Sequence, residues 1–255
     1  MIDAEPGPSN KHGAQTLERG LSLLDAVARQ PMRLHDLSEQ SGLTRSTTAR
    51  MVQALLSRGF LISSSGMLRL GPKLMQLGSA ARGKIDLIST TAPVLERLSE
   101  ETGLCSFLGR REGDESLHLL RNPGQQRVIV STPAGTRRRL AETSLGKTLM
   151  LDEDAKSWQK HFEAADIPFT SEIEAEMRRH AAVGVVVHHG PPPDMIRAVA
   201  APIRDASGAI VGALSVASVA QYVDDARLEM LMPHVQNAAK QASAAMGFAG
   251  QKEIA

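Results

Sequence analysis

Along the first third of the chain, apolar residues recur at the spacing of helices packed on one side. Leu17, Leu21, Leu24 and Ala28 stand four, three and four apart, which predicts a helix over about 16–29 with one apolar stripe, stopped by Pro31. Leu34 and Leu37, followed by Ser41-Gly42-Leu43, predict a short second helix ending at Gly42, where glycine takes a left-handed cap. Thr44 reads as the N-cap of a third helix. Its inner face is Ala49, Val52, Leu55 and Leu56, and Arg45, Ser46, Thr47, Arg50 and Gln53 lie on the other side. Gly59 ends it, and the period then becomes two. Phe60 and Ile62, a Ser63-Ser64-Ser65-Gly66 turn, then Leu68 and Leu70 predict a hairpin. Three helices with a tight glycine turn before the third, then a ribbon, make a winged helix-turn-helix.

Gly71-Pro72 punctuates the chain, and Leu74, Leu77 and Ala81 predict a linker helix within 73–83. Leu87, Ala92, Leu95 and Leu98 predict a helix over about 85–102, closing on Gly103. Strand-like runs follow at 105–110, 116–121, 128–133, 184–189, 196–202 and 209–217, with helical stretches near 144–151, 154–164, 170–182 and 224–246. Asp205-Ala206-Ser207-Gly208 is a tight turn between the last two strands. The pattern is α+β, mostly antiparallel, with helices framing a sheet. The fold class is therefore an α/β multi-domain chain: a leader at 1–13, a winged helix-turn-helix at 14–72, a linker helix at 73–84, an α+β domain at 85–248 and a flexible tail at 249–255.

Charge separates the two halves. Residues 11–84 hold 11 Lys/Arg and 4 Asp/Glu, a net +7, while 85–255 hold 18 and 22, although the whole chain is only +1. A basic segment that is also a winged helix-turn-helix points to double-stranded DNA. Thr44, Ser46 and Thr47 offer hydroxyls and amides to phosphate, Arg45 or Arg50 can reach base edges, Gln53 shares their DNA-facing side, and Arg69 on the ribbon can follow a neighbouring groove or the backbone. Aromatics at 3% argue against a stacking platform for single strands. The single cysteine, Cys105, excludes an intramolecular disulfide and a cysteine-based zinc site, and fits a reducing cytoplasm. No apolar run is long enough to span a membrane, and no secretory signal opens the chain.

Five segments, 16–24 (TLERGLSLL), 42–50 (GLTRSTTAR), 140–147 (LAETSLGK), 200–205 (AAPIRD) and 208–216 (GAIVGALSV), strongly resemble the isocitrate lyase regulator (IclR) family of bacterial transcription factors in order and separation. The resemblance covers nearly all of 14–247. It implies a GAF-like effector-binding C-terminal domain, binding to operator DNA as a homodimer or homotetramer, and control by a small metabolite, often an organic acid. It also implies an effector cavity lined by Val130, Ser144, Leu145, His188, Ile196, Ala198, Ser215 and Ala217. The period-two spacing of 196 with 198 and of 215 with 217 agrees with delivery from two strands. Members usually carry an acidic pair where this chain has Val187-His188-His189-Gly190, so the effector differs in what it must satisfy here.

Enzymatic readings of Thr143-Ser144-Leu145-Gly146-Lys147-Thr148 fail. A phosphate-binding loop needs glycine where Ala141 stands, and Ser144-x-x-Lys147 lacks the partner motifs of serine acylases. The segment reads instead as a helix start, Gly146 included, whose amides favour an anionic effector. Of His188 and His189, one faces inward if they lie on a strand; the bland reading is a surface turn before Pro191-Pro192-Pro193, and a metal site with His161 or His180 is the third. Arg137, Arg138 and Arg139 either guard the cavity mouth or form a solvated basic loop. The expected function is a sequence-specific DNA-binding regulator, a repressor by the family's commoner mode, without enzymatic activity, cofactor, metal or membrane partner. The rival is a metabolite-binding protein or enzyme whose N-terminal domain serves only oligomerisation.

Overall fold

The computed structural model describes residues 10–82, 86–127, 130–192 and 195–250. They fall into two units, one within 1–84 and one within 85–255.

In the first unit, α1 (Asn10–Arg29), α2 (Leu34–Ser41) and α3 (Arg45–Ser57) precede a ribbon of β1 (Leu61–Ser64) and β2 (Met67–Leu70), followed by α4 (Pro72–Arg82). Gly42 caps α2 at φ 65°, and the Thr44 side chain accepts the Thr47 amide to open α3, so the turn between the helices is built as the sequence predicts. Ser65 and Gly66 both take positive φ, which is the two-residue turn that matches the twist of a hairpin. Met32 pairs with Leu68 through both backbone hydrogen bonds, adding a bridge that the pattern did not predict.

The buried cluster of this unit is Leu23, Leu24, Val27, Met32, Leu37, Val52, Leu61 and Leu68. The expected stripe of α1 is corrected: Leu17 and Leu21 are 65% and 52% exposed, and Ala28 is exposed as well. Two helical stripes share Leu24, and the one through Leu23 and Val27 is the one that meets α2, α3 and β2. Periodicity marks apolar faces but does not say which has a partner. Helix α1 also begins at Asn10, ahead of the expected 16, while residues 1–9 of the expected leader and 251–255 of the expected tail lie outside the described residues.

The second unit opens with α5 (Leu87–Thr102), capped by Asp86 and by Gly103 at φ 71°. Strands β3 (Cys105–Glu112) and β4 (Glu115–Asn122) lead to a short β5 (Arg137–Arg139), a 3-10 turn (Leu140–Glu142), α6 (Ser144–Leu149), α7 (Ala155–Ala164) and α8 (Ser171–Val183). Strands β6 (Val186–His189), β7 (Ile196–Arg204) and β8 (Ile210–Val219) and the long α9 (Asp225–Ala245) complete it. The six strands form one antiparallel sheet in the order β5-β4-β3-β8-β7-β6.

Alternation divides that sheet into two faces. Leu108, Val199, Ala201, Ile203, Leu214 and Val216 pack with Leu95 and Leu98 of α5 and Leu228, Leu231 and Val235 of α9. Cys105, Phe107, Ala198, Ala213 and Ala217 face the other way, toward Leu145 and Leu149 of α6, Trp158 and Phe162 of α7 and Met177 of α8. The strand expected at 128–133 is not found: 128–129 lie outside the described residues, and 130–133 run without strand structure. The edge strand is instead Arg137–Arg139, paired with Glu115–Leu117. Three consecutive arginines carry no apolar alternation, so only backbone pairing and acidic neighbours reveal them: Arg137 meets both Glu112 and Glu115.

Trp158 donates its indole N–H to the Met150 carbonyl at 2.7 Å and is 3% exposed, tying α7 to the end of α6. Trp158→Phe is expected to lower stability by about 1–2 kcal/mol through the lost hydrogen bond and packing. Chemical denaturation measures it; an unchanged midpoint would refute the role of this tie.

Candidate functional sites

The first site is the exposed side of α3. Arg45, Ser46, Arg50 and Gln53 are exposed, as are Thr44 and Arg69, and Thr47 is half-buried. Thr44 Oγ1 stands 2.8 Å from Thr47 Oγ1 and 3.2 Å from Ser46 Oγ, a hydroxyl cluster at the start of the helix. Beneath it, Thr48 is fully buried and its hydroxyl donates to the Thr44 carbonyl at 3.1 Å. Sequence reading missed Thr48 as core because a hydroxyl residue is buried only where a local carbonyl receives it. Arg69 lies opposite Ile62 on the exposed ribbon.

The second site is a cavity of about 280 Å³ on the α6 side of the C-terminal sheet. Strand register explains its wall. His188, Ala198, Ala217 and Cys105 are successive partners across β6, β7, β8 and β3, and Ala200, Ser215 and Phe107 form the adjoining row. Alanine and serine in the middle of these rows leave room above the sheet, while His188 and Phe107 rise at the sides. The start of α6 adds Ser144 and Leu145.

Eight of the residues named from the family pattern, Val130, Ser144, Leu145, His188, Ile196, Ala198, Ser215 and Ala217, line this one cavity. Gly146 does not line it. Its amide donates to the Thr143 side chain at 3.0 Å, and a Cβ there would lie 2.6 Å from Leu140 Cα, so it is a packing glycine beneath the 3-10 turn. The structure adds Phe107, His118, Thr132, Arg138 and Glu142 to the lining. Phe107 was legible only through its partner, Ser215, two strand positions from Ala217. Of the three arginines, Arg138 is at the cavity and Arg137 is in the ion pairs of the edge.

The strand pleat separates the two histidines. His188 is 8% exposed and lines the cavity, whereas His189 points outward, its Nε2 3.0 Å from Asp225 Oδ1. Burial, reinforced by the nearby charges of Lys147, His189, His180 and Arg197, pushes His188 down to about 3. Burial also lowers His118, against a ring hydrogen bond to the Thr136 backbone, and its ring meets Phe107 edge-on at 6.0 Å. Both imidazoles are therefore neutral near pH 7, and the buried Nδ1 of each has no partner among the described residues. Lys147, lowered by burial, sits 5.6 Å from the Phe162 ring centroid.

Among the described residues, no group of three or more His, Cys, Asp or Glu is placed to hold a metal. His161 is 3.0 Å from Glu153, and His180 accepts the Val187 amide at 3.3 Å. No helix among the described residues is long and apolar enough to cross a membrane.

Comparison with known proteins agrees with this architecture. The family model described as the bacterial transcriptional regulator IclR C-terminal domain matches residues 79–244, and the IclR helix-turn-helix domain matches 16–63. The transcriptional regulator XynR of Escherichia coli (strain K12) is 26% identical over 92% of this chain and 98% of its own. The transcriptional repressor AllR of Klebsiella pneumoniae is 24% identical over 96% of this chain and 95% of its own. Among solved structures, the Agobacterium tumefaciens repressor BlcR superimposes with a TM-score of 0.76 at 22% identity, covering 92% of this chain and 98% of that one. These are regulators, not enzymes. A basic winged helix-turn-helix followed by an α+β domain, matched by both family models over most of its length, makes this chain a member of the IclR family of bacterial transcriptional regulators.

Proposed function

We propose that this chain is a cytoplasmic repressor that binds double-stranded operator DNA as a homodimer or homotetramer and is controlled by a small carboxylate held in the cavity above β7 and β8. The observation that carries the reading is the convergence of residues from β6, β7, β8 and α6 on one cavity of about 280 Å³, a volume suited to a small metabolite. Arg138 at its wall favours negative charge. Repression is favoured by the AllR relative, which is named a repressor. The DNA contacts of the reading are Thr44, Arg45, Ser46, Thr47, Arg50 and Gln53 of the α3 region with Arg69 of the wing, all but Thr47 exposed. One such helix reads only a few base pairs, so a symmetric oligomer on a palindromic site supplies useful specificity.

Effector and operator are coupled reciprocally: a ligand that changes DNA affinity by some factor has its own affinity changed by the same factor. The test joins a thermal-shift screen of small carboxylates to fluorescence anisotropy on the DNA flanking the gene. A ligand at about 100 times its Kd should stabilise the protein by ~2.7 kcal/mol and alter operator affinity. Failure to bind that DNA overturns the regulator assignment, and a ligand that stabilises without altering DNA affinity overturns the control.

A further inference from the structure

His188 occupies a position where a histidine has no structural task that the protein itself completes. It is almost wholly buried, its Nδ1 is without a partner among the described residues, and it forms part of the cavity wall. Its neighbour His189 has an acidic partner in Asp225, and His180, whose Nδ1 is likewise without a partner among the described residues, has the Val187 amide and Glu176 (3.8 Å) at its Nε2 and does not line the cavity. We infer, resting on the carboxylate reading above, that His188 couples ligand binding to protonation: an anion enters the cavity together with one proton, which the His188 imidazole takes up from solvent.

The argument is electrostatic. On the protein side, the charged or titratable groups acting on His188 are Lys147 of α6, His180 of α8, His189 of its own strand and Arg197 of β7. Across the cavity stand Arg138 of β5, His118 of β4 and Glu142 of the 3-10 turn. Glu176 of α8 lies nearer Lys147 and His180. Burial first, and then these predominantly cationic surroundings, keep the free imidazole neutral, and Glu142 is the one carboxylate among the residues found lining the cavity. A bound carboxylate supplies the missing counter-charge at short range and can accept a charge-assisted hydrogen bond from the imidazolium. His118 is less suited to this task, because its ring is engaged by the Thr136 backbone and packed edge-on against Phe107.

The sign follows from linkage. The complex holds one more proton than its separated parts, so affinity rises as pH falls, up to tenfold per pH unit between the free and bound ionisation points of His188. Isothermal titration of the full chain with lactate, succinate and adipate tests this between about pH 5.5 and 7.5, in two buffers of different protonation enthalpy. The neutral partners lactamide, succinamide and adipamide serve as controls. The expected result is binding of at least one acid but not its amide, uptake of about one proton, and tightening toward the acid end. His188→Asn should bind with the pH slope gone, and His118→Asn should keep it.

In the wild-type protein, the ring NMR signals of His188 should move to imidazolium positions on addition of the binding acid, a readout that does not depend on any variant folding. Carboxylate binding without proton uptake, an undisturbed His188 ring, or a slope retained in His188→Asn overturns the coupling while leaving the carboxylate reading intact. Binding by no acid at any pH overturns that reading, and the coupling with it.

Discussion

Operator binding should fall by about 2–6 kcal/mol when Arg45 and Arg50 are both replaced by alanine, at 1–3 kcal/mol for each arginine that reads a base edge. Arg45 is the first residue of α3 and Arg50 lies in its second turn, both exposed. The helix beneath them is fixed at several points: the Thr44 cap, the Thr48 hydroxyl on the Thr44 carbonyl, and Val52, 4% exposed, in the core of the unit. The two side chains can therefore be removed with the fold intact, and the loss appears in affinity rather than in melting temperature. Arg110→Ala, at an exposed arginine of β3 in the second unit, is the matched control for charge alone.

A salt titration separates the two kinds of contact. Arginines that read bases relax sequence preference when removed, whereas those that only neutralise phosphate reduce the slope of log affinity against log salt by about one each. Equal binding of the double variant and the wild type, measured by anisotropy on the flanking DNA, would mean that α3 is not the reading helix.

What the sequence made legible was governed by how local the cause is. The α2–α3 turn needs only Gly42 and Thr44, and both act within a few residues, so it was readable. Strands β7 and β8 are joined by the Asp205–Gly208 turn, and the resemblance placed their cavity positions, with which the period-two spacing of 196 with 198 and of 215 with 217 agrees. The partner of a face is not local. Leu17 and Leu21 have the same spacing as buried leucines, yet they are exposed because the unit packs on Leu23 and Val27.

The same limit applies within the cavity. Residues on β7 and β8 were placed through their resemblance and parity, but Phe107 and His118 enter it only because β3 pairs with β8 and β4 with β3, a sheet order that no single segment encodes. The separation of His188 from His189 was readable from the pleat. The pleat does not say which of the two faces inward; the resemblance named His188, and the register His188↔Ala198 places it with Ala198.

Gly146→Ala is expected to be the most damaging small substitution in the second unit. The added Cβ would lie 2.6 Å from Leu140 Cα and 2.7 Å from its carbonyl carbon, and nearer still to its carbonyl oxygen. These are backbone atoms, so no rotamer change relieves the clash. Nor can the 3-10 turn retreat freely, because Leu140 and Ala141 are 0% and 1% exposed within the same core as Trp158 and Phe162. The remaining relief is to push α6 away from the turn, which breaks the Thr143 cap on the Gly146 amide and shifts Ser144 and Leu145 at the cavity wall.

Overpacking of this kind costs about 1–3 kcal/mol, the backbone clash placing this site at the upper end, and the ligand-induced stabilisation should vanish with the displaced wall. Gly78→Ala in α4 is the contrasting substitution, since nothing lies within 4 Å of its Cβ position, and it should be neutral or stabilising by up to about 1 kcal/mol through helix propensity. Denaturant titration of both variants decides between a packing glycine and a ligand-contacting one. A Gly146→Ala protein with wild-type stability that has lost only its response to carboxylates would restore Gly146 to the binding site and refute the steric account.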